Sequence, residues 1–248
     1  MGNKLGRDAL EGKGAIVTGA NSGIGAAVVR KLLEYGMVVV GIDTETDYLD
    51  ELKEEGDNST LLHVVQADIT DEEEVLDAFQ WISDNVENID VLVNSAEIIE
   101  ESSILDGDIE SWKKMAKTNI LGLCTCTTEM IRAMKDQKID LGLIVNMNSV
   151  AADEVAQESK HHFYSATKHV VKYLTEYLRH ELELSQQPIK ITNVCIGPNE
   201  TFSVDSYENE WFGVEGSLEL DDITGVIEYI IHTPSHVQIR DLCVVPKK

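Results

Sequence analysis

An alternation along the chain constrains its fold more than any other feature. Short runs that are apolar throughout take turns with longer stretches whose apolar residues recur at helical spacing. The run at 37–42, Met-Val-Val-Val-Gly-Ile, has no polar side chain on either face. A strand with one face in water would alternate, so this one is expected to be covered on both sides. Repeated along a chain, this pattern reads as an α/β fold, a doubly wound parallel sheet with helices on both faces. Strands are expected at 14–18, 37–42, 61–66, 89–93, 143–147, 189–196 and 237–244. Helices are expected at 23–35, 71–85, 108–134, 162–184 and 221–231, with Thr70 as N-cap of the second and Pro188 barring extension of the fourth. No repeat or linker divides the 248 residues, so residues 1–248 are read as a single domain. Residues 198–220, with Trp211 and Phe212 at their centre, have weak periodicity and are expected to be a mobile, substrate-facing loop.

The chain carries 20 basic and 45 acidic residues, a formal net charge of −25. Such a surface repels phosphate backbones and anionic bilayers, so nucleic acid is not expected as a partner. No apolar run is long enough to span a bilayer. The polar first thirteen residues have no secretory-type apolar core, and a cytoplasmic location is expected. Cys124, Cys126, Cys195 and Cys243 form no metal-binding spacing and are expected to be buried free thiols; no metal site is expected.

Thr18-Gly19-Ala20-Asn21-Ser22-Gly23-Ile24-Gly25 lies between the first strand and the first helix. Glycines there allow a tight turn and close approach of backbone to a pyrophosphate, while the helix N-terminus offers amides and a positive dipole. Gly19, Asn21, Ser22, Gly23, Ile24 and Gly25 are thus candidates to hold a dinucleotide. Asp43 ends the second strand, 18 residues after Gly25. A carboxylate there can accept hydrogen bonds from the ribose hydroxyls of NAD and would repel the 2′-phosphate of NADP. Thr44 and Glu45 follow it, so NAD is expected over NADP; a solvated turn acid is the plain alternative. Asp68, after the third strand, either accepts from the adenine amino group or simply forms the turn in Ala67-Asp68-Ile69-Thr70.

Tyr164 and Lys168 are four residues apart, on one face of a helix. An ammonium beside a phenol favours the phenolate and makes it a better proton acceptor at neutral pH. Ser149, after the fifth strand, stands where ligands bind in such sheets and could hold a substrate oxygen or merely cap the strand. Thr18-Gly19-x-x-x-Gly23-x-Gly25, Asn94-Ser95-Ala96, Asn119, Ser149 and Tyr164-x-x-x-Lys168 occur in that order. Over nearly its whole length the chain resembles the short-chain dehydrogenase/reductase family, with a Rossmann fold. The segments around Tyr164 to Leu182 and Thr233 to Ile239 resemble its farnesol dehydrogenase-like branch. The resemblance implies hydride transfer between a nicotinamide cofactor and a hydrophobic alcohol or ketone of isoprenoid or steroid-like type. It implies Tyr164 as general acid/base, Lys168 on the nicotinamide ribose, Ser149 on the substrate oxygen and Asn119 seating a relay water. It further implies cofactor contacts from Ile69, Asn94, Ala96, Pro198 and Thr201. A homodimer or homotetramer is implied too, built on the two long helices and using part of the stripe Val170, Val171, Leu174, Tyr177 and Leu178.

Three departures from the family pattern stand out. Glu97 occupies the place of a glycine after Asn94-Ser95-Ala96, where its side chain must either turn away or crowd the ribose. The run Gly197-Pro198-Asn199-Glu200-Thr201 is shortened; asparagine tolerates positive φ best among non-glycine residues, so the turn is expected to survive on Asn199. Arginines that follow the second strand in that branch are replaced by Asp43, Thr44 and Glu45, which again favours NAD. Glu97, the short loop and the acidity keep a second function open: a catalytically impaired homologue that binds a hydrophobic ligand or pigment, or serves a structural or storage role.

Overall fold

Among the described residues seven strands form, and all of them pair in parallel: β1 (Gly14–Thr18), β2 (Val38–Asp43), β3 (Leu62–Gln66), β4 (Ile89–Asn94), β5 (Gly142–Ser149), β6 (Ile189–Ile196) and β7 (Asp241–Val244). The computed structural model describes residues 10–55, 58–154, 159–201 and 216–247. Most of the expected 198–220 loop, including Trp211 and Phe212, lies outside them. The sheet order is β3-β2-β1-β4-β5-β6-β7. The chain therefore leaves β1 in one direction and returns to its other side at β4. A crevice opens beyond the carboxyl ends of the strands at such a reversal.

Side chains alternate across the sheet, and both faces of its central strands are buried. Ala15, Val17, Val91, Val93 and Val145 pack on one face beneath α1 (Gly23–Glu34) and a C-terminal helix, Leu220–Ile231. Ile16, Val40, Leu92, Ile144 and Ile191 pack on the other, under α3 (Glu72–Asn85), α5 (Leu123–Asp136) and α6 (His162–Leu184). This is the doubly wound α/β architecture that the alternation implies. Among the described residues, the remaining α-helices are α2 (Asp47–Lys53) and α4 (Ile109–Ala116), and the C-terminal helix is α7. Among the described residues, no helix is long and apolar enough to cross a membrane.

Several boundaries differ from expectation for local reasons. Asp71, not Thr70, caps α3: its Oδ1 accepts from the amides of Glu73 and Glu74 at 2.9 and 3.2 Å. Thr70 instead spends its own amide on Asp68 Oδ1 (2.8 Å). The helical stretch expected at 108–134 is interrupted by a π-helical segment, Lys117–Gly122, between α4 and α5. Strand β7 begins at Asp241 rather than at 237; just before it, side chains take up the Ile239 carbonyl, which accepts from the Thr192 hydroxyl (2.8 Å), while the Arg240 carbonyl accepts from Arg179 (2.8 Å) and from the Asn193 amide (3.0 Å). Helix α2 was not expected; only Leu49 and Leu52 of its seven residues are buried, too few to set a period.

β5 continues past Met147 to Ser149, which pairs with Ile196 of β6, and buried asparagines hydrogen-bond to one another across the sheet. Asn94 Nδ2 donates to Asn146 Oδ1 (2.9 Å) and to Thr127 of α5 (2.9 Å), and Asn146 Nδ2 donates to Thr175 of α6 (2.8 Å). Asn148 Nδ2 donates to Asn193 Oδ1 (2.8 Å) and to the carbonyl of Lys168 (3.1 Å). Buried amides without such partners would each cost about 1–3 kcal/mol. The network ties α6, and with it Tyr164 and Lys168, to the carboxyl end of β5.

Candidate active site

A cleft of about 670 Å³ runs along the carboxyl ends of the strands. At its floor the glycine-rich turn adopts a conformation that requires glycine. Gly19 and Gly23 have φ of +65° and +55°. A Cβ on Gly19 would stand 2.6 Å from Cα of Ala96, and one on Gly25 would meet the Gly19 carbonyl oxygen at 1.9 Å. The turn thus lies against the segment that follows β4. Thr18 Oγ1 secures that contact, accepting from the amides of Ser95 (3.2 Å) and Ala96 (3.3 Å). Gly19, Ser22, Gly23, Ile24, Gly25, Asp43, Asp68, Ile69, Ala96, Ser149, Tyr164 and Thr201 all line the cleft.

Other residues singled out in the sequence stand behind it. Asn21 Oδ1 accepts from Leu49 at 3.1 Å, bracing the turn against α2. Asn94 faces α5 and β5, within the asparagine network. Asn119, on the π-helical segment, holds Ile98 at two points: its Oδ1 accepts from the Ile98 amide (2.9 Å) and its Nδ2 donates to the Ile98 carbonyl (3.0 Å). The same Nδ2 donates to Thr167 of α6 (3.2 Å). Pro198 is buried at the end of β6. Asn199 does not use positive φ. Its side chain makes the turn instead, Oδ1 accepting from the Thr201 hydroxyl (2.6 Å) and amide (3.2 Å).

Asp43 Oδ2 accepts from the amide of Asn21 (2.9 Å) and Oδ1 from that of Thr44 (2.8 Å), so its carboxylate ties β2 to the glycine-rich turn. Ser149 Oγ accepts from the Ala151 amide (3.1 Å), capping the short helical turn after β5, while the residue also lines the cleft. Lys168 is 3% exposed in its side chain. Its ammonium lies 5.5 Å from the centre of the Tyr164 ring. Apolar and aromatic residues surround Tyr164: Ile98, Ile99, Trp112, Met115, Ala151 and Phe163, with Trp112 stacked on Phe163.

Glu97 does not turn away. Its Oε2 accepts from the Tyr164 hydroxyl at 3.2 Å and forms an ion pair with the Lys168 ammonium. A carboxylate therefore bridges the two groups on which the chemistry was expected to rest, although Tyr164 and Ser149 still share one cleft. Sequence reading recognised Glu97 as a departure without assigning it these partners. Glu74, whose carboxylate accepts from the Asp68 amide (2.7 Å), had no sequence signal at all.

The thiols divide. Cys126 and Cys195 are buried, Cys124 is half-buried, and Cys243 is exposed, contrary to expectation. Burial pushes the Cys126 thiol up to about 12 and the Cys195 thiol up to about 11. Among the described residues, no group of His, Cys, Asp and Glu side chains could hold a metal ion.

This fold and this ordered set of side chains define a class, and comparison with known proteins agrees: the short chain dehydrogenase family profile matches residues 13–210. The chain belongs to that family. It is 36% identical to a dehydrogenase/reductase SDR family member 11 from Gallus gallus, over 95% of this chain and 96% of the relative. It is 35% identical to a farnesol dehydrogenase from Aedes aegypti, over 96% and 98% of the two chains. Among solved structures, a short chain dehydrogenase from Bacillus anthracis superposes with a TM-score of 0.83 at 20% identity, covering 96% of each chain, and supports the fold.

Proposed function

We propose that this chain is a nicotinamide-dependent oxidoreductase acting on a hydrophobic alcohol or ketone of isoprenoid or steroid-like type. The observation that carries the reading is the placement of Tyr164 and Ser149 on one cleft whose other end is the glycine-rich turn. The lining suits a dinucleotide: Ser22, Gly23 and Ile24, at the start of α1, line the cleft, and Gly19 and Gly25 bring backbone together where a Cβ would not fit. The nicotinamide group, when bound, supplies or accepts the hydride.

The chain's own residues would do the rest. Asp68 and Ile69 would hold adenine, Asp43 its ribose, and Gly19 with Ser22 to Gly25 the pyrophosphate. Ala96, Pro198, Thr201 and Lys168 would hold the nicotinamide half. Asn21 and Asn94 would act from behind, through α2 and the asparagine network. Tyr164 would pass a proton to or from the substrate oxygen, and Ser149 would orient that oxygen. The Asn119 side chain is committed to Ile98 and Thr167, which leaves its main chain to seat a relay water. The apolar residues around Tyr164 suit a hydrophobic substrate, and the name of the mosquito relative points the same way. We read NAD as the preferred cofactor because Asp43 would repel a 2′-phosphate. A homodimer is part of the same reading: Val170 and Tyr177 of the expected stripe are exposed, while Val171 is buried and Leu174 and Leu178 are half-buried within this chain.

The test is titration with NADH followed by assay of farnesol and hydroxysteroids with NAD. Binding and turnover are expected, and Tyr164→Phe should lower turnover by about 10²–10⁴-fold, the usual range for a lost general acid/base. No heat and no shift in melting temperature at millimolar NAD or NADP would overturn the reading. It would favour the second one, a binding or structural homologue, which the Glu97 contact with Tyr164 and Lys168 supports.

A further inference from the structure

We infer that Glu97 sets cofactor affinity in this protein, as a built-in competitor of the nicotinamide half for Lys168 and Tyr164. The inference rests on the oxidoreductase reading and adds a role that the family pattern, with glycine at this place, does not contain.

The backbone argument comes first. Residue 97 is pinned on both sides. Before it, the amides of Ser95 and Ala96 are held by Thr18 Oγ1, and the Ala96 backbone lies against Gly19. After it, Ile98 is held by Asn119 through both its amide and its carbonyl. The main chain at Glu97 therefore cannot swing out of the cleft without breaking four hydrogen bonds. Only the side chain's own torsions are free to move the carboxylate.

The electrostatic argument follows. The Lys168 side chain is 3% exposed, and Glu97 Oε2 is paired with its ammonium. A buried ammonium without an acceptor is costly, and Glu97 supplies one. The Glu97 side chain itself is 27% exposed and lines the cleft, so it has solvent to move into. Any ligand that uses Lys168 and Tyr164 as hydrogen-bonding partners must first displace Glu97 from both. It must also tolerate a carboxylate left nearby, which an anionic dinucleotide does poorly. A ligand that fills only the far end, by Asp43 and Asp68, meets neither obstacle.

Calorimetric titration of the purified full-length protein with NADH and, separately, with adenosine monophosphate tests this. Glu97→Ala should tighten NADH binding about tenfold or more, equivalent to about 1.4 kcal/mol, and leave adenosine monophosphate unchanged. Glu97→Gln, which removes charge but keeps size, should tighten NADH by a smaller factor and guards against a folding defect in the alanine variant. A variant that binds NADH no better than wild type overturns the inference and leaves the oxidoreductase reading standing. Equal gains for both ligands also overturn it, since a general charge effect would then suffice. Failure of wild type and both variants to bind either ligand overturns the oxidoreductase reading itself, and this inference with it.

Discussion

Asn119 engages Ile98 as a neighbouring strand would, accepting from its amide at 2.9 Å and donating to its carbonyl at 3.0 Å. One side chain thereby fixes the path of the segment that carries Glu97 into the cleft. Replacing it by leucine leaves the amide and carbonyl of Ile98 without this partner, while the Thr167 hydroxyl still donates to the Tyr164 carbonyl (2.7 Å). Asn119→Leu should lower unfolding free energy by about 1–3 kcal/mol, measured in urea, because unpaired buried polar groups carry that penalty. Unchanged stability would mean that Ile98 finds water in its place.

Two glycines make opposite predictions. At Gly19 a Cβ would press into the Ala96 backbone, and φ is +65°. Gly19→Ala should destabilise the fold by about 1–2 kcal/mol or more from the left-handed backbone alone, with a further loss of NADH affinity. At Gly225, inside α7, a Cβ meets nothing within 4 Å. Gly225→Ala should raise stability by about 0.5–1 kcal/mol, since alanine restricts the unfolded chain and suits a helix. Thermal melts of the two variants against wild type check both signs.

Asp43 offers its two carboxylate oxygens to the amides of Asn21 and Thr44. A carboxamide in its place could still accept from one of them while carrying no charge. Asp43→Asn should therefore shift the ratio of NADP to NAD affinity towards NADP, by about tenfold on the scale at which 1.4 kcal/mol is a factor of ten. Fluorescence titration with NADPH and NADH gives the ratio directly. An unchanged ratio would show that Asp43 serves only to tie β2 to the turn.

The thiols should separate by accessibility and ionisation. Cys126 and Cys195 are buried, with thiols raised to about 12 and about 11, so few are thiolates at pH 8. Cys243 is exposed, although burial of its sulfur also raises it. Iodoacetamide at pH 8 should modify Cys243 first and reach Cys126 only after unfolding, as read by peptide mass mapping. Early labelling of Cys126 would contradict the packing between α5 and the sheet.

Much of the fold was legible because its signals are local. Runs such as Val38 to Ile42 declare a doubly covered strand, and the Thr18 to Gly25 turn declares its own geometry. Elsewhere the deciding partner is distant. β5 reaches Ser149 by pairing with β6, whose Asn193, 45 residues from Asn148, accepts from its side chain. Thr70 and Asp71 are both sound N-caps by residue type, and it is the Asp71 carboxylate that accepts from the amides of Glu73 and Glu74. The destination of Glu97 depends on Thr18 and Asn119, which lie on either side of it in sequence and hold its neighbours in space. A residue known only as out of pattern can be placed only once those distant partners are known.

The π-helical segment at Lys117–Gly122 has a consequence for how the chain tolerates length changes. Such a segment holds one residue more than a regular helix would need to cover the same rise. Deleting one residue there would let α4 and α5 merge into an unbroken α-helix with the flanking turns nearly in register, because the wide turn already absorbs that residue, but it would take Asn119 from Ile98 and Thr167. Deleting one at the start of α5, with no wide turn to absorb it, would rotate everything downstream by about 100° relative to everything upstream and turn Met130 and Met134 off the sheet. The extra residue is what lets one continuous rod serve a cleft at one end and a dry core at the other.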